Sequence, residues 1–267
     1  MGKDMRLLLI GIFLPLMGCA STVDKIAYKL LYPIPKKEAG AVPDGAIDIK
    51  ENGIHLWRSG YYNDKVIVFC HGNAMDLNAM GRSGILQKFD DISASWILPE
   101  YPGYGESQGS PSEKANVEAV LLAKKIAKEA YPDARIYYWG WSLGAAVCIQ
   151  AHLKDPGSGL ILTSAWTSFQ DVAVDKLGLA KKLSDDFLSK HGYYSDAAAS
   201  QINGPVLMHH GSKDKVIPYK FGYKLFESFP LTAPVIFIEL TGAGHGDVFM
   251  EKKLWDSVQI FINTVDK

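Results

Sequence analysis

Between residues 46 and 265, short apolar runs of β character alternate with longer stretches of helical period. AIDIK (46–50) and IHLWR (54–58), separated by Glu51-Asn52-Gly53, predict an antiparallel hairpin turning at Asn-Gly. KVIVFC (65–70) is unbroken apolar, the pattern of a strand covered on both faces. SASWIL (93–98), RIYYW (135–139), GLILT (159–163), PVLMHH (205–210) and PVIFIEL (234–240) read as further strands. Helical spacing predicts helices over Asn78–Phe89, Glu113–Ala130, Leu143–Leu153, Tyr219–Phe229 and Asp247–Val265. In the second of these, Val117, Val120 and Leu121 share a face, with Lys124, Lys125 and Lys128 towards water. Strands separated by helices predict an α/β fold with a mostly parallel central sheet and helices on both faces. Only the stretch from about 164 to 204 breaks the alternation. An insertion there, between two strands, predicts a small cap over the strand ends.

The first nineteen residues, MGKDMRLLLIGIFLPLMGC, follow another pattern. Lys3 and Arg6 precede an apolar run from Leu7 to Met17, which is too short to cross a bilayer as a helix and has the proportions of a secretory signal. Leu16-Met17-Gly18-Cys19 resembles a bacterial lipobox, in which the cut falls before the cysteine and its thiol carries diacylglycerol. That pattern predicts a signal peptide over 1–18, lipidation at Cys19 and a lipid anchor in a bacterial cell envelope, facing the periplasm or the surface. An ordinary signal cut near Ala20 and an uncleaved anchor are the alternatives. Residues 19–45 then read as a tether, with Ile26, Ala27, Leu30 and Leu31 forming a short stripe that packs on the body, and residues 46–267 as the folded domain.

Composition narrows the function classes. The chain has 267 residues, 48% of them hydrophobic, enough for one large α/β domain with a sizeable core. A formal net charge of −1 gives no basic field, so nucleic acid is not an expected partner. Cys70 and Cys148 lie in apolar runs and read as buried small hydrophobes, with a disulfide between them left open for an exported protein. No cysteine–histidine spacing suggests zinc, and no glycine-rich loop suggests a nucleotide or flavin, so no cofactor is expected.

The chemistry concentrates in YYWGWSLGAAVC (137–148). A strand, the sequence Gly140-Trp141-Ser142-Leu143-Gly144 and a helix follow in that order, the context a nucleophile elbow requires. A serine hydroxyl needs a base, and the base needs a group to orient it. HGSKDKVIP (210–218) sets Asp214 in the loop after a strand, and GAGHGD (242–247) sets His245 in the loop after the last one. The order Ser142, Asp214, His245 is that of an α/β-hydrolase triad, with each residue just beyond the C-terminal end of a strand. In CHGNAMD (70–76), a His-Gly turn follows a strand. In families that this turn resembles, the residue after His-Gly and the residue after the nucleophile supply the oxyanion donors, which implies the backbone N–H groups of Asn73 and Leu143, with Ala74 the alternative to Asn73. His55, His152 and His191 carry no partner signature. Of His209 and His210, one is expected to pack inward and the other to lie nearer the site. Asp247 is the alternative acid but reads as a helix cap, and Asp185 and Asp186 read as solvated.

HGNAMDL, YPGYGESQGSPSE, GWSLG, GSKDKVIP and GAGHGD, in this order, resemble the small α/β-hydrolase-domain serine hydrolases, in particular the branch containing protein depalmitoylases and Bem46-like proteins. The similarity covers roughly residues 46–265. Two positions depart from that branch: Glu100 stands where aspartate is typical, and Trp141 where glutamine or histidine is frequent. The resemblance implies acyl transfer to serine and then to water. Trp141, Trp166 and Tyr104 are expected to flank the site, with Phe169, Leu177, Leu179 and Phe187 supplied by the cap. An apolar acyl pocket at a membrane surface would suit esters or thioesters of lipids or lipidated proteins. A peptidase on the same fold and a noncatalytic envelope-binding module are the rival readings.

Overall fold

The computed structural model describes residues 17–35, 40–60, 62, 64–177 and 183–265. Eight strands form one sheet: β1 (Ile47–Glu51), β2 (Ile54–Arg58), β3 (Lys65–Cys70), β4 (Ser95–Pro99), β5 (Arg135–Trp141), β6 (Gly159–Thr163), β7 (Val206–Gly211) and β8 (Val235–Leu240), in the order β1-β2-β4-β3-β5-β6-β7-β8. β1 and β2 make the antiparallel hairpin, β2 pairs antiparallel with β4, and every pairing from β4 to β8 is parallel. The sheet is thus mixed but mostly parallel, as the alternation of elements requires.

The central strands are apolar throughout because each feeds two cores. On β3 and β5, Val66, Val68, Cys70, Ile136 and Tyr138 face one core, while Ile67, Phe69, Tyr137 and Trp139 face the other. This division follows the two-residue period of a strand. The first core is covered by α4 (Glu113–Ala130), α5 (Leu143–Lys154) and α9 (Tyr219–Phe226), through residues such as Val117, Val147 and Leu225. The second is closed by α2 (Leu77–Arg82), α3 (Lys88–Asp91) and α10 (Lys252–Thr264), with Phe89, Trp139, Phe249 and Trp255 packed as an aromatic cluster. Cys70 and Cys148 are buried and free, side by side between β3 and α5.

Three differences from the sequence pattern have local causes. The single helix expected over Asn78–Phe89 is two short ones, α2 and α3, separated where Gly84 takes φ +75°. Asp76 caps α2 by accepting from the Ala79 N–H at 2.7 Å. The helix expected from Asp247 starts as one 3₁₀ turn, Asp247–Met250, before α10. The third lies at the amino end. Residues read as a tether form α1 (Met17–Leu31), which buries Ala27 and Leu31 and leaves Ile26 and Leu30 half-exposed. Cys19 lies in the first turns of this helix, whereas most of the signal segment, residues 1–16, lies outside the described residues. No described helix is long and apolar enough to cross a membrane.

The cap segment holds α6 (Phe169–Leu177), α7 (Asp185–His191) and α8 (Ser195–Ala199). Asp185 and Asp186 lie in the exposed first turn of α7, where Asp186 pairs with Lys190.

β5 passes into α5 with almost no linker, so the helix start presses on the end of β3. A Cβ at Gly144 would stand 1.9 Å from the Cys70 carbonyl oxygen, and one at Gly140 would stand 2.2 Å from the Gly144 carbonyl oxygen. Gly144→Ala is therefore expected to lower stability by about 3 kcal/mol or to prevent folding, as read by urea denaturation. Gly246→Ala, with nothing within 4 Å of the added carbon, is expected to stay within about 0.5 kcal/mol of the parent.

Candidate active site

Ser142 is the hinge between β5 and α5. It has φ 56° and ψ −116°, a conformation that β-carbon sterics disfavour and that persists here because strand and helix fix both ends. Its N–H donates to the Thr163 carbonyl at 2.9 Å, and its own carbonyl accepts from Ala145 N–H at 3.0 Å. The side chain makes no capping bond to the helix that it begins. An ordinary capping serine spends its hydroxyl on the first turn; here the hydroxyl is left to the cavity above the sheet.

Two loops further along the same edge of the sheet meet. Asp214 Oδ2 accepts from His245 Nδ1 at 2.7 Å, and the carboxylate is fully buried. Its other oxygen accepts the backbone N–H groups of Val216 and Ile217 at 2.9 and 2.8 Å. Burial alone would raise the Asp214 pKa, but the hydrogen bond and charge of His245, together with the Ile217 N–H, outweigh it and hold the carboxyl below its ordinary value. A carboxylate only accepts, so the proton of neutral His245 sits on Nδ1 and its Nε2 carries the free lone pair.

The His245 loop is pinned next to the elbow. The Trp141 indole N–H donates to the His245 carbonyl at 3.3 Å, and the two rings lie 5.5 Å apart. Asp247 accepts from the Gly244 N–H at 3.2 Å, so it braces this loop rather than capping α10. His210 lies behind the acid, fully buried. Its Nε2 donates to the Ile217 carbonyl at 2.8 Å and stands 3.6 Å from Asp214 Oδ2. His209 points to the opposite core and bonds Ser257, and burial pushes its pKa down to about 3.

On the other side of Ser142, the loop after β3 carries His71, Gly72, Asn73 and Ala74, with Ala74 at φ 56°. The Tyr101 hydroxyl donates to the His71 carbonyl at 2.9 Å. Asn73, Ser142 and Leu143 line one cavity of about 430 Å³. Its remaining walls are Leu30 and Leu31 of α1, Trp166, the cap residues Phe169, Val172, Ala173 and Lys176, and Val216 and Ile217 of the acid loop. Among the described residues, Lys176 is the one charged member of the lining, and its ammonium donates to the Lys215 carbonyl. Among the described residues no cluster of side chains is arranged to hold a metal ion.

Several flanking expectations need correction. Tyr104 does not reach the cavity: it is fully buried against Tyr101 and His71. Phe187 packs on Phe169 and His191 behind the lining. Trp141, by contrast, does flank the site, with its ring against His245 and outside the cavity lining. Leu179 and the side chain of Leu177 lie outside the described residues.

Sequence reasoning also missed an ionic support. Glu100 is buried beneath the site and accepts the backbone N–H groups of Leu77 at 2.9 Å and Glu106 at 3.0 Å, tying the loop after β3 to the loop after β4. His55, read as unpartnered, stands 3.5 Å from Glu100 through Nδ1 and 2.5 Å from Asp48 through Nε2. Sequence holds no local signal for this, because the partners are distant and meet only through the β1–β2–β4 pairing. Glu100, where the resembling branch has aspartate, uses its length to reach both loops.

Comparison with known proteins adds three findings. A family model for the alpha/beta hydrolase fold matches residues 65–189. The chain is 31% identical over 205 residues to human alpha/beta hydrolase domain-containing protein 17B, covering 74% of this chain and 66% of that protein. It is 30% identical over 204 residues to the Xenopus laevis protein of the same name, covering 73% and 65%. The chain therefore spans a little under two thirds of the length of the curated relatives it matches. Among solved structures, it is similar to the Pyrococcus furiosus esterase Pf2001, with a TM-score of 0.67 at 16% identity over 86% of this chain and 98% of that one. It is also similar to the alpha/beta hydrolase GrgF from Penicillium sp. sh18, with a TM-score of 0.64 at 15% identity over 82% and 98%. At such identities these two likenesses establish the fold.

The buried ionic support generates a pH prediction. Burial would lower the His55 pKa, but Glu100 and Asp48 raise it overall. Burial would raise that of Glu100, but His55 and the Leu77 and Glu106 N–H groups lower it overall. The raised histidine adds stability that is complete below about pH 6.5 and fades as pH rises through its folded value; the depressed carboxyl adds stability that is complete above about pH 4.3 and fades as pH falls through its folded value. Thermal melts of the parent and Glu100→Gln from pH 4.5 to 9 are expected to differ most near pH 5–6, with the gap narrowing as pH rises through the folded His55 value. A difference independent of pH would contradict this assignment.

Proposed function

For a chain with the α/β-hydrolase fold, related to the alpha/beta hydrolase domain-containing 17 proteins, we propose a serine hydrolase that cleaves carboxylic esters or thioesters of acyl substrates. The observation that carries this reading is the Asp214–His245 hydrogen bond in a loop that Trp141 ties to the strained turn of Ser142, which opens on an apolar cavity. In this account His245 Nε2 takes the Ser142 proton as the oxygen attacks the acyl carbonyl, and Asp214 stabilises the resulting imidazolium. The tetrahedral oxyanion is held by the N–H groups of Asn73 and Leu143, each worth about 3 kcal/mol in the transition state. His245 then protonates the departing alcohol or thiol, leaving acyl-Ser142. Water, deprotonated by the same histidine, releases the acid and restores the enzyme.

The cavity supports an acyl substrate over a peptide. Leucine, tryptophan, phenylalanine and valine line it, and among the described residues the lining holds no carboxylate to bind a peptide's amino terminus. A depalmitoylase-like preference for lipidated substrates is the finer form of this reading, supported by the relatives in sequence and the apolar lining. The lipobox reading of Leu16-Met17-Gly18-Cys19 belongs to the same proposal and would hold the enzyme at a bacterial envelope membrane.

Two measurements test these points. Purified protein is expected to turn over p-nitrophenyl esters, and Ser142→Ala is expected to lower kcat/KM at least about 10³-fold, with Asp214→Asn close behind; a serine variant as active as the parent would overturn the mechanism. Cells expressing the full chain and fed an alkynyl fatty acid are expected to label it, and Cys19→Ser to abolish the label. Equal labelling of both would remove Cys19 as the anchor.

A further inference from the structure

The cavity wall facing the cap comes from outside the sheet. The last turn of α1 supplies Leu30 and Leu31 to the same cavity that holds Ser142 and Leu143. The two differ in setting: Leu31 is 4% exposed and belongs to the core, whereas Leu30 is 47% exposed at the mouth. We propose that α1 is part of the active site, and that Leu31 and Leu30 set the length of acyl chain the enzyme accepts. This inference rests on the acyl-hydrolase reading above and specifies its substrate class.

A wall selects by size only if it is held in place, and α1 is held at three levels. At its centre, both oxygens of Asp24 engage Ser184, at 3.2 Å from the N–H and 2.5 Å from the hydroxyl. Ser184 in turn caps α7 through the Phe187 N–H, so the helix and the cap share an anchor. In its last turn, the Tyr28 hydroxyl donates to the Pro111 carbonyl at 3.3 Å. Just past the end, the buried Tyr32 hydroxyl lies 3.2 Å from His191 Nδ1 and donates to the Tyr193 hydroxyl at 3.1 Å, and Asn116 donates to Tyr193 at 2.9 Å. These partners lie in the cap, in α4 and in the loop before it, so α1 and the cap form one roof. The roof also touches the floor, because the Asn73 amide donates to the Leu30 carbonyl at 3.4 Å.

Leu31 shares the cavity lining with Phe169, Val172 and Ile217, so an acyl chain bound at Ser142 would be enclosed among them. Leucine to alanine at position 31 removes a branched four-carbon side chain down to a methyl group and lengthens the space available. Each methylene fitted to or excluded from an apolar pocket changes kcat/KM about 10-fold or more. Tryptophan at position 30 fills the mouth without disturbing the core, since that side chain is already half in water.

The test compares kcat/KM for p-nitrophenyl butanoate and dodecanoate in the full chain, with labelling by a fluorophosphonate to count competent Ser142 and a thermal melt to report folding. The dodecanoate-to-butanoate ratio is expected to rise about 10-fold in Leu31→Ala and to fall about 10-fold in Leu30→Trp. A ratio within twofold of the parent in labelled, folded Leu30→Trp overturns the inference even if Leu31→Ala does not fold. Turnover by the parent with an unmoved ratio removes only the role of α1; a parent that neither turns over any ester nor takes the label removes the hydrolase reading, and this inference with it.

Discussion

The fold and the proposed chemistry both depend on the passage from β5 into α5. A strand and a helix joined by one residue can pack only if nothing projects from the backbone at the crossing, and Gly140 and Gly144 meet that condition. The residue left between them, Ser142, is forced to φ 56° and away from its own helix. The strain of that turn, of order 1–3 kcal/mol, is borne by the two cores that grip β5 on both faces. The same turn that closes the packing presents a hydroxyl at the carboxyl edge of the sheet and at the amino end of a helix, where backbone N–H groups favour negative charge.

Around that fixed point the other groups are held from different directions. Trp141, next in chain to the serine, fixes the His245 loop through its indole N–H, so the elbow also positions the imidazole. Asp214 is shielded from solvent and satisfied by two backbone donors besides the histidine, which keeps it ionised. Beneath the loop after β3, Glu100 joins two turns with one carboxylate, and its charge is balanced by His55, which Asp48 supports in turn. Each support is a hydrogen bond or ion pair to a group on a separate strand end, so the sheet order sets the site.

Most of the scaffold was legible in the chain because its signals are local. The strands and their two-faced burial follow from apolar runs, the tight strand-to-helix turn from five residues in context, and the loops that bring Asp214 to His245 from their place after β7 and β8. What escaped reading depends on distance. His55 gives no sign of its partners at positions 48 and 100, since strand pairing brings them together. Tyr104 looked like a pocket residue by composition, but its loop folds the ring under His71. A short apolar stripe at residues 26–31 predicted packing, yet the cap to which its helix is bonded, some 160 residues further along the chain, is not encoded in its spacing. In the same way the break between α2 and α3 lies at a glycine inside an otherwise regular helical pattern.

The central claim is that Ser142 is a nucleophile activated by His245. Treating the purified chain with a fluorophosphonate and mapping the adduct by peptide mass spectrometry tests it most directly. One phosphonyl group on Ser142, formed rapidly in the parent and slowed by at least about 10³-fold in His245→Ala, is the expected result. A protein that stays unmodified, or an adduct formed equally fast without the imidazole, would contradict the account.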